Sequence, residues 1–179
     1  GQVDFVVATY TINDARKEVI DFAGPYYVAG QDIMMAAGNP EGIEGPEDLA
    51  GKTVCSVEGS TPAETIRTEY PEAELVLYDV YSKCADDLRN GNVQAVTTDN
   101  VILTSFVAGD PESFELVGNP FTEEPYGIGV QKGADDFRAF INDVLTESFE
   151  DGTWADAWDR TAGAITDTEA PEPPTVDRY

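Results

Sequence analysis

The sequence predicts an α/β protein, and two observations lead to this fold class. Short apolar segments with the composition of buried strands alternate with segments whose apolar residues recur at helical spacing. Gly, Pro, Asn and Asp separate these segments, as they do at turns. With 179 residues, 41% of them hydrophobic, the chain is long enough to bury a core, which argues against general disorder.

The elements follow from these patterns in chain order. Strands are predicted at residues 3–10, 31–37, 52–57, 74–78, 93–97, 114–117 and 126–131. Helices are predicted at residues 13–19, 62–70, 81–90 and 100–107. Gly24-Pro25 predicts a turn, and Gly91 is placed to end the helix before it.

The last third of the chain is predicted to contain two helices and a tail. The first helix is indicated by apolar residues at helical spacing, namely Phe137, Phe140, Ile141, Val144 and Leu145. Trp154 and Trp158, four residues apart, predict a second helix whose aromatic face docks on the rest of the protein rather than binding a cofactor. Three prolines among acidic residues predict an extended or disordered tail at residues 166–179.

The charge balance excludes two classes of partner. Ten basic residues face thirty-five acidic ones, for a net charge of −25, whereas nucleic acids and anionic membranes require clustered Lys and Arg. We interpret the acidic surface as a means of solubility in a salty or extracellular setting, with a specific cationic partner as the alternative. No segment approaches the roughly 20 apolar residues that cross a bilayer. The abrupt opening at Gly1 leads us to expect that the natural amino terminus lies upstream.

The two cysteines, Cys55 and Cys84, have two interpretations. They form either a buried pair of free thiols or a disulfide, which would imply an oxidising compartment, and we expect the disulfide. Because the chain has no histidine and no C-x-x-C motif, the sequence argues against a zinc site.

Two segments have the composition of anion-binding sites. In VEGSTPAE (residues 57–64) a strand leads directly into a helix, with Thr61 as predicted N-cap, Pro62 at the first helical position and Glu64 completing a capping box. Such a helix start, with the added hydroxyl of Ser60, can hold an anion, or it can be a well-capped helix with no ligand. In TYTINDAR (residues 9–16) Arg16 follows strand-end hydroxyls and can bind a carboxylate, or pair with one of the many surface acids.

A third segment, TTDN (residues 97–100), lies at the end of a predicted strand, where ligands of open α/β sheets gather. Asp99 there can accept hydrogen bonds from an ammonium group or act as the N-cap of the following helix. Taken together, the three segments predict a carboxylate clamp made of Thr11, Arg16, Ser60 and Thr61 with Asp99 as ammonium acceptor, which is the pattern of an α-amino acid.

Four ordered motifs carry a resemblance to a known family. They are GxVDFVVATYTINDARKEVIDFAGPYY, VxxVEGST, DDLxNGxVQAVxTDN and EPYGIGVQKG. Over residues 1–163 the chain resembles bacterial extracellular solute-binding proteins, family 3, the amino-acid-binding components of ABC importers. Its cysteine pair and proline-rich ending are similar to those of actinobacterial glutamate-binding lipoproteins.

The resemblance implies a periplasmic-binding-protein-like (type II) fold, in which two α/β lobes are joined by two crossover strands and the ligand lies in the cleft between them. Residues 1–32 and 123–165 would form the first lobe and residues 33–122 the second, with hinges at residues 27–31 and 121–126. The family's functional residues fall on Thr9 and Asp99 for the ammonium and on Thr11, Arg16, Ser60 and Thr61 for the carboxylate.

The chain departs from the family at its start, because family members carry a longer segment before this point. The first lobe is therefore expected to be truncated, with an incomplete site and an exposed core. A second copy could cover this core by exchanging elements in a domain-swapped dimer.

The resemblance implies an extracellular protein, lipid-anchored at the cell surface or periplasmic, that captures a polar amino acid and presents it to the permease subunits of an ABC transporter. Glutamate is the expected ligand, followed by glutamine or aspartate, and no cofactor or metal is needed. One alternative is an enzyme on the same fold, such as a dehydratase using Glu58 or Glu123 as general acid or base. The other is the sensor domain of a receptor.

Overall fold

The computed structural model describes residues 2–178, which divide into two compact units. The first unit comprises Gly1–Ala29 and Glu123–Tyr179, and the second comprises Gly30–Thr122. The chain crosses from one unit to the other between residues 29 and 30 and again between residues 122 and 123. Both crossings lie inside the segments expected to contain the hinges. The first crossing precedes the expected lobe boundary at residue 32, because Gln31 and Asp32 pair with a strand of the second unit. Gly1 and Tyr179, the outer ends of the expected first lobe and tail, lie outside the described residues.

Residues 2–178 contain eight strands interspersed with seven α-helices, which confirms the predicted α/β class. The strands are β1 (Phe5–Thr11), β2 (Ile20–Ala29), β3 (Gln31–Ala36), β4 (Thr53–Val57), β5 (Glu74–Tyr78), β6 (Ala95–Asp99), β7 (Phe114–Leu116) and β8 (Glu124–Gln131). The helices are α1 (Asp14–Lys17), α2 (Thr61–Glu69), α3 (Tyr81–Arg89), α4 (Asn100–Gly109), α5 (Asp135–Glu150), α6 (Thr153–Asp159) and α7 (Ala162–Thr166), with a 3₁₀ helix at Pro46–Leu49. None of the helices in residues 2–178 is both long and apolar enough to cross a membrane.

The first unit is built on a three-stranded antiparallel sheet of order β1-β8-β2. The prediction of a turn at Gly24-Pro25 was wrong, because both residues lie inside β2. The register of β2 against β8 shifts between Ala23 and Tyr27, and the proline falls within this irregularity. Since proline has no N–H to donate to a ladder, an irregular stretch of this kind is where a strand tolerates it.

The second unit is built on a five-stranded sheet of order β5-β4-β6-β3-β7, with β4 parallel to both β5 and β6. Apolar side chains on both faces of this sheet form two clusters of buried residues. The predicted disulfide is confirmed: Cys55 on β4 and Cys84 on α3 are bonded, and both are buried in the first of these clusters.

The tryptophan helix α6 docks on the first unit, as predicted. Trp158 stacks on Tyr27 of β2 with ring centres 5.3 Å apart. The indole N–H of Trp154 donates to the carbonyl of Tyr26 at 2.9 Å. Because both contacts are with β2, the aromatic face of α6 serves packing within the unit.

Residues 167–178 contain no helix or strand, but they are tied to the first unit. The backbone N–H of Asp177 donates to the Gly24 carbonyl at 2.7 Å. Arg178 donates to the Asp143 carboxylate at 2.7 Å and to the Thr146 hydroxyl at 3.1 Å, both on α5. These contacts give the extended tail a fixed course over the unit.

The first unit also exposes apolar residues, and some of them line a groove of about 780 Å³ formed by β1, β8 and the start of α5. The exposed fractions are 50% for Phe5, 56% for Val7 and 72% for Val19, and on α5 the fraction reaches 61% for Phe140. The apolar stripe predicted for α5 is therefore only partly covered. The dimer expected from the sequence stays a prediction, and a monomeric molar mass in solution would contradict it.

An ion pair inside the first unit makes stability depend on pH. Lys132 Nζ donates to Asp21 at 2.9 Å and the Gly133 N–H donates to it at 2.7 Å, and these bonds hold the pKa of this buried carboxyl below its usual 3.8. A depressed pKa stabilises the folded state above the unfolded pKa, and this stability is lost as pH falls through the folded pKa.

We expect Asp21→Asn to lower the free energy of unfolding at pH 7 by roughly 1.5–3 kcal/mol, the contribution of a charged hydrogen bond. The difference from wild type should shrink as the pH falls below 3.8. Urea titrations at a series of pH values measure this difference in the free energy of unfolding. Glu172→Gln in the exposed tail is the control. A difference that is constant with pH would contradict the assignment.

Candidate functional site

In the first unit, polar residues at the end of β1 are joined by hydrogen bonds. Thr11 is 5% exposed, and its hydroxyl donates to Oε2 of Glu124 at 2.7 Å. The Nη1 of Arg16 donates to the Thr11 carbonyl at 2.8 Å, and the guanidinium lies 4.8 Å from the centre of the Tyr10 ring. The structure thus brings together two of the predicted site residues and adds Glu124, which was not among the predicted site residues.

The short helix α1 sets the backbone position of Arg16. Asn13 is the N-cap, and its side chain accepts a hydrogen bond from the Arg16 N–H at 2.9 Å. Because only two residues separate the end of β1 from the start of α1, Arg16 is held at the end of the strand. The guanidinium of Arg16 is half-buried and is held in place by a backbone carbonyl and an aromatic ring. A guanidinium held in this way is suited to pair with a carboxylate.

Thr9, expected to contact an ammonium through its backbone, lies in an irregular part of β1. The pairing of β1 with β8 is regular up to Val7 opposite Ile128 and resumes at Thr11 opposite Tyr126, with a register shift between them. Thr9 is exposed within this stretch. Bulges release residues from the regular ladder, so its position is compatible with a backbone contact to a ligand.

In the second unit, the N-cap of α2 is Ser60 rather than Thr61, which is the first helical residue. The Ser60 hydroxyl accepts a hydrogen bond from the Ala63 N–H at 3.1 Å and donates to the Val57 carbonyl at 2.7 Å, which makes Ser60 the N-cap. The predicted capping box from Thr61 to Glu64 was therefore wrong by one residue. Either hydroxyl could have capped the helix, but only Ser60 has the extended backbone of a cap.

A buried polar network connects this helix start to the sheet. The Ser56 hydroxyl donates to the Thr97 carbonyl at 2.9 Å and lies 3.4 Å from the Ser60 hydroxyl. Gln31, fully buried, donates through Nε2 to the Pro62 carbonyl at 3.1 Å and to the Thr97 hydroxyl at 2.9 Å. The network fixes the first turn of α2 to β3, β4 and β6. Gln31 was not identified from sequence, because a lone Gln at the start of a strand carries no local signal.

Asp32, next to Gln31, is a second buried polar residue with a structural role. Burial raises the pKa of its carboxyl, although the backbone N–H groups of Ile33, Asn119 and Gly118 donate to it. These bonds attach the segment after β7 to the start of β3. Asp32 therefore has a structural role in the second unit.

Asp99 is the last residue of β6 and only 3% exposed. It occupies the N-cap position of α4, but its side chain makes no capping hydrogen bond there, so the capping interpretation is not supported. Because β4 and β6 are parallel, Ser60 and Asp99 follow their strands at the same edge of the sheet. Because ligands of open α/β sheets gather at the carboxyl ends of strands, a carboxylate at this position is suited to accept hydrogen bonds from an ammonium group.

The predicted site residues thus form two groups. Thr9, Thr11 and Arg16 lie in the first unit, and Ser60, Thr61 and Asp99 lie in the second. Their joint action on one ligand stays a prediction. Among the described residues, no three acidic or cysteine side chains are arranged to hold a metal ion.

The residues weighed for catalysis have different surroundings. Glu58 and Glu123 are both exposed, whereas a carboxyl group that acts as general acid near neutral pH needs a buried or charged environment. These two carboxylates therefore give no support to the dehydratase alternative.

An α/β protein in two units, each with polar groups collected at strand ends, has the organisation of proteins that bind small polar solutes. Comparison with known sequences identifies the family: the profile of bacterial extracellular solute-binding proteins, family 3, matches residues 1–163. The chain belongs to this family.

Two curated relatives and one solved structure illustrate the similarity. The glutamate-binding protein GluB of Corynebacterium glutamicum is 40% identical over 86% of this chain and 54% of its own length. The ABC transporter glutamine-binding protein GlnH of Bacillus subtilis is 38% identical over 86% of this chain and 56% of its own. An ancestral arginine-binding protein bound to arginine superposes with a TM-score of 0.83 at 36% identity, over 89% of this chain and 72% of the other. The chain thus spans about half the length of the curated relatives it matches.

Proposed function

We propose that this protein captures a polar α-amino acid, glutamate first, as the extracellular substrate-binding component of an ABC transporter. The observation that carries the proposal is the position of Arg16, bonded to the Thr11 carbonyl and stacked on Tyr10 at the end of β1. Family membership supports the class of ligand. The names of relatives that bind glutamate and glutamine support the choice of a polar amino acid.

The ligand's α-carboxylate would be held by Arg16 together with Ser60 and Thr61. Arg16 offers two parallel N–H donors, and the first turn of α2 offers backbone N–H groups with the positive end of the helix dipole. The acidic character of the chain as a whole, with a net charge of −25, makes a positioned guanidinium necessary for binding an anion.

The ligand's ammonium would be held by Asp99 and the Thr9 backbone. The Thr11 hydroxyl has one proton, which it donates to Glu124, so its oxygen can take part in binding only as an acceptor. An ammonium group is a donor, and Thr11 is therefore better suited to bind the ligand's ammonium than its carboxylate, the role predicted from the sequence.

The partners follow from the same function. The loaded protein would present its amino acid to permease subunits and would be lipid-anchored at the cell surface or periplasmic. Binding alone serves this role, and no cofactor takes part in it.

Calorimetric titration of the gene-encoded polypeptide that contains these 179 residues tests the proposal. L-glutamate, L-glutamine, L-aspartate, L-asparagine and L-arginine are titrated separately at physiological salt. We expect saturable binding of L-glutamate at one site per chain. Binding of another of these amino acids alone would reject glutamate and retain the class of function, whereas no binding of any of them would overturn the proposal.

A further inference from the structure

Glu124 is a buried carboxylate that the proposed function leaves unexplained. It is the first residue of β8, and only 4% of it is exposed, whereas its neighbour Glu123 is exposed. Removing a carboxylate from water costs several kcal/mol before its partners compensate for it. The burial of the Glu124 carboxylate is therefore better explained by a specific functional role than by packing.

Glu124 reaches the candidate site through Thr11. Its Oε2 accepts the Thr11 hydroxyl proton at 2.7 Å, a distance typical of an O–H···O hydrogen bond. The carbonyl of the same threonine accepts from Arg16 Nη1 at 2.8 Å. Two hydrogen bonds therefore connect Glu124 to the guanidinium by way of one residue.

The backbone of Thr11 lies at the edge of an irregular stretch of β1. The β1–β8 ladder is irregular between Val7 and Thr11 and resumes only at the Thr11–Tyr126 pair, so regular pairing supports Thr11 from one side only. The Ile12 N–H donates to the Pro125 carbonyl at 2.8 Å, directly after Glu124. Residues 124 and 125 thus hold the end of β1 by one side-chain bond and one backbone bond.

We propose that Glu124 is a positioning residue for amino-acid binding, which orients the Thr11 carbonyl that holds Arg16 and keeps the Thr11 hydroxyl oxygen an acceptor. The inference rests on the proposed function. Glutamine at this position has nearly the same shape, but it can donate as well as accept, so it no longer fixes which way the Thr11 proton points.

The test is calorimetric titration of L-glutamate into Glu124→Gln in the gene-encoded polypeptide. We expect a Kd roughly tenfold to a hundredfold weaker than that of wild type, the effect of losing one hydrogen bond to a charged group. Glu123→Gln is the matched control, because it removes the same charge from the adjacent exposed position, and its Kd should equal that of wild type.

A double-mutant cycle separates positioning from a general structural role. Thr11→Val removes the hydroxyl, and if Glu124 acts through Thr11, the double variant should bind no more weakly than Thr11→Val alone. If Glu124→Gln does not fold, Glu124→Asp, which retains a shorter carboxylate, replaces it in the same cycle.

The outcomes are distinct. Wild-type affinity in Glu124→Gln, or additive losses in the cycle, would overturn the positioning role while Arg16→Ala still abolished binding. Failure of wild type to bind any of the five amino acids would overturn this inference together with the proposed function.

Discussion

Replacing Arg16 with alanine should abolish measurable amino-acid binding while leaving the protein folded. The guanidinium is proposed to pair with the ligand's carboxylate, and removing one partner of a buried ion pair costs about 3–5 kcal/mol. This corresponds to a roughly several-hundredfold or greater loss of affinity. The fold should persist because Arg16 is only half-buried and lies at one strand end, where it contacts Thr11 and Tyr10. Calorimetry measures binding, and circular dichroism checks the fold.

Two further variants test whether the loss of binding is specific to the guanidinium of Arg16. Arg67→Ala removes an equal charge from α2, where the exposed side chain pairs with Glu64, and it should bind like wild type. Arg16→Lys retains the charge but not the two-pronged geometry, so its affinity should lie between those of wild type and Arg16→Ala. An unchanged affinity in Arg16→Ala would remove Arg16 from the site.

Removing the disulfide should produce the largest loss of stability. The bond closes a loop between residues 29 apart in sequence, which in the chain-entropy model contributes about 3.6 kcal/mol. The double variant Cys55→Ala/Cys84→Ala should therefore unfold at a Tm roughly 7–14 °C lower. Scanning calorimetry measures the shift. Because Ser56, beside Cys55, belongs to the network under α2, we also expect faster amide exchange at the start of that helix.

Reduced wild-type protein is the control for the cysteine variant. It retains both sulfur atoms and lacks only the bond, so it should show most of the same loss of stability. Alkylation without prior reduction should add no mass to the oxidised protein. Uptake of alkylating agent at two thiols, or an unchanged Tm in the double variant, would contradict a stabilising disulfide.

Local signals in the sequence located most of the elements. The helix α2 was predicted from its hydroxyl residues and Pro62, and β5 from the short apolar and aromatic run that ends at Tyr78, because these signals act within a few neighbours. The same reasoning failed at β2, where Gly24-Pro25 carries a turn signal. The strand exists because Ile20 pairs with Gln131 and Ala29 with Glu124, and partners so distant in sequence leave no local trace.

For the candidate site, the sequence by itself determined which residue types could bind an amino acid: Arg16 after a strand, hydroxyls at a helix start, and Asp99 at a strand end. Only the tertiary structure decided which of two adjacent hydroxyls caps α2, and that Glu124 rather than Glu123 is buried against Thr11. The physical reason is the same in each case. The chemistry of a side chain is a property of its residue, whereas its burial and its hydrogen-bond partners depend on segments brought together from distant parts of the chain.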